Sequence, residues 1–244
     1  MKKGFGCKKE IFIEITNFYD EITKNEYKSD YLKVLNEFES ISEDKIRLIL
    51  DKYYSNLRTK DQAWKTCKGA LYEYSVFKFL THIVNYAPLL KNKIEIITNI
   101  KSLDIYREQI VIKNWVDIFP DVDMLIVDKE SNKVKAILSC KTSLRERLTE
   151  TAFWKRELEK IKDKEAIKIF FITTDKDDEL RIETNRYIIL HVIDYTFITD
   201  PQKYYSLINL YKSKYGKRKD FYKLIEKVKP INYIEEVLIN LFCS

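Results

Sequence analysis

Glycine and proline are scarce in this chain, with four of each in 244 residues, which excludes collagen-like and Gly/Pro-rich low-complexity proteins. There is no Gly-rich loop of the kind that cradles nucleotide phosphates, no Ser-His-Asp order and no H-E-x-x-H. A nucleotide hydrolase, a serine hydrolase and a zincin are all disfavoured on that ground. Cys7, Cys67, Cys140 and Cys243 are scattered without a C-x-x-C pair, and only His82 and His191 are available to join them. A structural zinc site is therefore not expected, and four unpaired thiols suit a reducing compartment. No run approaches the roughly 20 apolar residues of a membrane-spanning helix, and the start MKKGFGCKKEIFIEI lacks the apolar stretch of a signal peptide. The expectation is a soluble, cytoplasmic protein with no membrane partner.

What is present suffices for a core. Hydrophobic residues make up 45% of the chain, with 13 Phe and 17 Tyr, so at this length burial needs no disulfide or metal staple. Lys and Arg number 44 against 38 Asp and Glu, a formal charge of +6, which permits a polyanionic partner without requiring one.

Over residues 10–86 apolar side chains recur at three- and four-residue spacing, with interruptions near 28–30 and 58–61, which predicts consecutive helices. The pattern then becomes strand-like at 93–100, 109–113, 123–127, 134–140, 168–173 and 187–193. Between the runs ending at Cys140 and starting near Ile167, residues 144–162 are rich in helix formers, predicting strand–helix–strand and hence a parallel pair. His191, inside one of these runs, reads as a buried structural histidine. Helical spacing returns from Pro201, with a basic interruption at 212–219 around Gly216. The chain reads as α/β, a helical N-terminal region over 1–60 followed by a core over 61–244, together one compact domain.

The most informative stretch is Pro120-Asp121-Val122-Asp123, an apolar run, a polar turn over 128–133, and a second apolar run closing in Ser139-Cys140-Lys141. Two antiparallel strands joined by that turn bring an acid at the start of one close to the lysine that ends the other, with Asp123 and Lys141 the obvious pair. Carboxylates are the ligands a hard divalent cation takes, and a lysine beside them can steady negative charge developing on a phosphodiester. Strand alternation turns the Cys140 side chain away from Lys141, into the apolar layer. Directly beyond come Ser143, Arg145, Glu146 and Arg147 at the start of a helix, polar groups suited to a nucleic-acid groove.

Pro-Asp-Val-Asp, hairpin, Ser-Cys-Lys resembles the PD-(D/E)XK nuclease signature in the variant where a serine, here Ser139, replaces the acid two residues before the lysine. The continuation Lys141-Thr-Ser-Leu-Arg145-Glu146-Arg147 is similar to the Lys-x-x-x-Arg-Glu-Arg segment of type II restriction endonucleases that cut CCGG- or CCNGG-type sites. The likeness runs from Asp121 to Arg147. It implies a restriction-endonuclease-like mixed β-sheet flanked by helices, a Mg2+ cofactor and homodimers that cut both strands of DNA. Carried onto this sequence, it makes Asp123 (or Asp121) the metal-bridging acid, Lys141 the catalytic lysine, the Cys140 carbonyl a further metal ligand, and Arg145, Glu146 and Arg147 the base readers. That is in keeping with the hydrogen bonds Arg gives guanine and a carboxylate accepts from cytosine.

The chain departs from the pattern at one point. The variant carries a second acid thirteen residues after the lysine, where this sequence has Trp154. Glu73, on an apolar helix face before the core, is the first candidate to supply the missing carboxylate, and Glu150 the second. Lys68, Lys65 and the lysines of 212–219 are candidates to track the DNA backbone. The expected function is a Mg2+-dependent, site-specific endonuclease on double-stranded DNA leaving 5′-phosphate ends, with a companion DNA methyltransferase that acts on the same site without a stable complex. The alternatives are a repair or structure-specific nuclease of the same fold and a non-catalytic DNA-binding protein.

Overall fold

Helical periodicity in the first third of the chain becomes a set of helices whose apolar stripes face one another. In a computed structural model the chain divides into two compact units, residues 1–79 and 80–244, and residues 7–98, 104–144, 146–164 and 166–243 are described. In the first unit, α1 (Lys9–Asn25) buries Ile11, Ile15, Tyr19 and Ile22 along one face, the spacing an amphipathic helix requires. Lys28 and Ser29 then adopt left-handed φ of 54° and 65°, which stops the helix where the interruption was expected. There follow α2 (Tyr31–Asn36), capped by the Asp30 side chain, α3 (Phe38–Asp44), a 3-10 turn (Ile46–Lys52) and the long α4 (Leu57–Tyr86).

The second interruption, expected at 58–61, falls at 53–56 instead. The reason is local: the Asn56 side chain accepts the Thr59 N–H at 3.1 Å and caps α4 from there. The expectation of four unpaired thiols is corrected as well, because Cys7 and Cys67 form a disulfide across 60 residues, their Cα atoms 4.6 Å apart. Helix packing, which linear spacing does not reveal, brings the two together. The two units divide inside α4, between Phe79 and Leu80.

The second unit is built on a six-stranded sheet in sequential order: β1 (Ile94–Ile97), β2 (Met124–Asp128), β3 (Lys133–Lys141), β4 (Lys168–Thr173), β5 (Tyr195–Ile198) and β6 (Val228–Pro230). The pairs β1–β2 and β2–β3 are antiparallel, and β3 through β6 run parallel. The β2–β3 hairpin closes through Asp128, whose carboxylate accepts the Glu130 N–H and the Ser131 hydroxyl, and through Asn132 at φ 55°. Such side-chain turns are what Asp and Asn supply. Met124–Val127 are all buried, as are residues 136–140, so both faces of the central strands are covered and their sequence reads as a continuous apolar run.

Helices connect the parallel strands: α6 (Arg147–Glu159) between β3 and β4, α7 (Glu183–His191) between β4 and β5, and α8 (Pro201–Tyr215) with α9 (Phe221–Lys227) between β5 and β6. A short α5 (Arg107–Ile110) precedes β2, and α10 (Ile234–Cys243) ends the unit. Leu148, Leu158, Ile189, Leu207 and Leu224 from these helices pack with Ile137, Ile169, Phe171 and Ile198 of the sheet.

Two strand expectations are overturned. Residues 187–193 belong mostly to α7, with the strand displaced to Tyr195–Ile198, because a short apolar run does not by itself separate a strand from a buried helix segment. His191 consequently sits exposed at the end of a helix, its ring 4.4 Å from that of Tyr187. Residues 109–113 contribute the end of α5 and a single bridge, Ile112 to Ile118, rather than a strand.

Candidate active site

Asp123 stands just before β2, and its N–H extends the ladder to the Leu138 carbonyl at 3.1 Å. Lys141 is the last residue of β3. This register sets the two side chains at neighbouring strand ends, and the Lys141 ammonium donates to Asp123 Oδ2 at 2.6 Å. The same oxygen accepts the Cys140 N–H at 2.7 Å, so the carboxylate is oriented by main chain as well as by charge. Asp121, two residues earlier, places Oδ2 3.6 Å from Lys141 Nζ. With side-chain exposures of 8% for Asp123, 14% for Lys141 and 23% for Asp121, the group is largely screened from bulk water. Charges there interact more strongly than on an open surface.

The donor set suits a hard divalent cation in part. Two carboxylates lie together, and both hydrogen bonds to Asp123 fall on Oδ2, leaving Oδ1 on the same carboxylate for a ligand. Among the described residues no three His, Cys, Asp or Glu side chains cluster as a complete metal site. Ser139 is buried on the same face of β3 as Lys141, and Cys140 is a buried thiol outside the disulfide, on the alternate face.

Beyond Lys141 the chain is held by the loop that follows β4. Thr142 O accepts the Thr174 hydroxyl at 3.0 Å, and the Leu144 N–H donates to the Glu179 carboxylate at 2.7 Å. Behind this loop, Asp175 is buried at 1% exposure, accepts the Leu180 N–H, and is pushed by burial up to about 7. The sequence reading missed Glu179 and Asp175. The acidic run Asp175–Glu179 straight after a strand was the available signal, but such a run ordinarily reads as solvated turn.

The remaining predicted residues are distributed as follows. Ser143 is partly buried in the connection, Glu146 is exposed just before α6, and Arg145 lies outside the described residues. Arg147 opens α6, with Nη1 3.1 Å from Glu150 Oε2 and 3.7 Å from Asp121 Oδ2, so it joins the acidic group and does not simply project outward. Glu150 is exposed and pairs with that arginine. Trp154 packs against the core, so the position of the pattern's second acid is spent on structure. Glu73 is half-buried on α4 in the first unit.

Lys68 is corrected: it is 4% exposed, with Nζ donating to Glu39 at 2.6 Å and Glu43 at 2.7 Å. Burial pushes the Glu43 carboxyl up, but hydrogen bonds from Lys68, Arg47 and Trp64 outweigh it and bring it down to about 2. A lysine spent on two carboxylates inside a helical unit does not track DNA phosphates.

A mixed sheet with an aspartate and a lysine meeting at adjacent ends of its central hairpin defines a nuclease of the restriction-endonuclease fold. The family model described as BsaWI restriction endonuclease type 2 matches residues 96–224, and the chain belongs to that family. It is 30% identical over 151 residues to a putative type II restriction enzyme, MjaVIP, of Methanocaldococcus jannaschii, a match covering 57% of this chain and 67% of that one. It is also 44% identical over 63 residues to a probable type II restriction enzyme of Helicobacter pylori, a match covering 26% of this chain and only 33% of the relative. Among solved structures, the restriction endonuclease PspGI in complex with substrate DNA shares the fold, with a TM-score of 0.66 and 16% identity over 94% of this chain and 93% of the other.

Proposed function

We propose that this chain is a Mg2+-dependent, site-specific endodeoxyribonuclease that hydrolyses phosphodiesters of double-stranded DNA and leaves 5′-phosphate ends. The observation that carries the reading is the Asp123–Lys141 contact of 2.6 Å with Asp121 beside it, in a chain of this family. Asp123 and Asp121 would hold the cation, with the Cys140 carbonyl and a helical glutamate as further ligands, Glu150 of α6 being the candidate within this unit. A divalent cation at this position supplies a Lewis acid for the scissile phosphate.

The chain's own groups do the rest. Lys141 donates a hydrogen bond to a non-bridging phosphate oxygen and offsets the charge that grows on it during in-line attack by water. Asp123, fixed by the Cys140 N–H, keeps that ammonium in place. Hydrolysis breaks the bond from phosphorus to the 3′ oxygen, which leaves with a proton. Arg145, Glu146 and Arg147 read base edges, and Ser143 contacts the backbone. A homodimer matches a palindromic target, a methyltransferase of the same specificity protects host DNA, and the protein works in the cytoplasm.

Incubation with mixed-sequence DNA and Mg2+, followed by sequencing of the fragment ends, tests the reading. Ends that share one short motif and carry 5′-phosphate are expected. Ends at junctions or flaps only would favour a repair nuclease, and intact DNA that is nevertheless bound would favour a non-catalytic DNA-binding protein.

A further inference from the structure

Asp121 is flanked by two cations, Lys141 Nζ at 3.6 Å and Arg147 Nη1 at 3.7 Å. The hydrogen bond of Arg147 goes elsewhere, to Glu150 Oε2 at 3.1 Å, one turn further along the same helix. The guanidinium is therefore suspended between two carboxylates, bonded to one and in charge contact with the other. The side chains form an alternating series, Asp123, Lys141, Asp121, Arg147, Glu150. Lys141 belongs to the reaction proposed above, whereas Arg147 comes from the first residue of α6 and keeps 35% of its side chain exposed. It has freedom to leave.

We propose that Arg147 is a positioning residue that restrains Asp121 in the DNA-free protein, so that the acid pair accepts its divalent cation well only after DNA has drawn the guanidinium away. The inference rests on the nuclease reading and deepens it. A doubly charged cation entering between Asp121 and Asp123 meets a fixed positive charge beside Asp121, and like charges at this range repel strongly where water is partly excluded. Arg147 is at the same time the kind of group DNA attracts, since its planar fork matches a phosphate or the guanine edge in two-point contacts. Each guanidinium taken by DNA removes one positive charge from the metal position. By linkage, the cation then favours the DNA-bound arrangement by the same factor. Glu150 sets the poise, competing with Asp121 for the one guanidinium.

Mn2+ binding to the DNA-free protein tests this without any cleavage. The free-ion signal is followed by electron paramagnetic resonance for the wild type, Arg147→Ala, and Arg156→Ala, which deletes an equal charge from the same helix at a residue paired with Glu159. Arg147→Ala is expected to bind Mn2+ about tenfold more tightly than wild type, and Arg156→Ala to match wild type. Glu150→Gln should weaken Mn2+ binding more when Arg147 is present than in the Arg147→Ala background, the coupling a double-mutant cycle isolates. Equal affinities for Arg147→Ala and Arg156→Ala would overturn the restraint; if the alanine variant melts early, Arg147→Gln replaces it in the same comparison. Asp123→Asn separates the two levels of the argument: undiminished Mn2+ binding there removes the metal site itself and the nuclease reading with it.

Discussion

The Leu144 N–H donates to the Glu179 carboxylate at 2.7 Å, joining the segment that leads from Lys141 to Arg147 to the loop between β4 and α7. Leu144 is fully buried, so this N–H cannot turn to water if its acceptor is removed. Glu179→Ala is expected to cost about 1–3 kcal/mol of stability and to slow cleavage, because the connection carrying the proposed base readers loses its anchor. Glu179→Gln keeps an acceptor oxygen and should recover most of both. Urea unfolding and plasmid cleavage of the pair check this, and an alanine variant as stable as wild type would show the bond to be dispensable.

Lys141→Ala separates binding from chemistry. The ammonium answers Asp123 and lies beside Asp121, and removing it takes away the donor assigned to the scissile phosphate. Cleavage should fall about a thousandfold, while DNA retention in a gel shift persists. Undiminished cutting would end the catalytic assignment of this lysine.

Asp175 makes stability depend on pH in a direction opposite to that of an ion-paired acid. Burial drives its carboxyl up to about 7, the Leu180 N–H offsets this only in part, and Asp178 adds to it. Between its ordinary range near 4 and about 7 the folded chain holds a proton that the unfolded chain has released. This contribution to stability is therefore full at low pH, declines as pH rises through that window, and is lost above it. Glu43, brought down to about 2, acts only below the ordinary carboxylate range and does not contribute between pH 5 and 8. Asp175→Asn keeps an oxygen for the Leu180 N–H and removes the charge. Its stability relative to wild type should rise by about 3 kcal/mol from pH 5 to pH 8, read by urea unfolding at both. A difference that stays constant across the two pH values would mean that the carboxyl is not protonated in the folded protein.

Much of the fold was legible because its elements bury on one face or on both. Residues 168–173 were predicted as a strand with the bounds that β4 has, and the helix between β3 and β4 and the parallel pairing across it followed from length and helix formers. The error at 187–193 arose where a short apolar run at the end of a helix sits next to a short strand. There only packing distinguishes Ile189 and Leu190, buried on α7, from Phe197 and Ile198, buried on β5. Lys68 was misread for a related reason: a lysine in a basic stretch resembles a phosphate contact until Glu39 and Glu43, 29 and 25 residues away, are seen beside it.

At the candidate site, sequence by itself determined that Asp123 and Lys141 meet, since a hairpin's register is a local property and strand alternation then dictates which side chains share an end. It also determined the family, through the segment that follows. Only the tertiary structure decided that Arg147 reaches back to Asp121, that Glu179 holds the connection from a loop 35 residues on, and that Trp154 is spent on the core. Those choices depend on how a helix is set down against a sheet, and the energies that set it are summed over many distant contacts that no short motif contains.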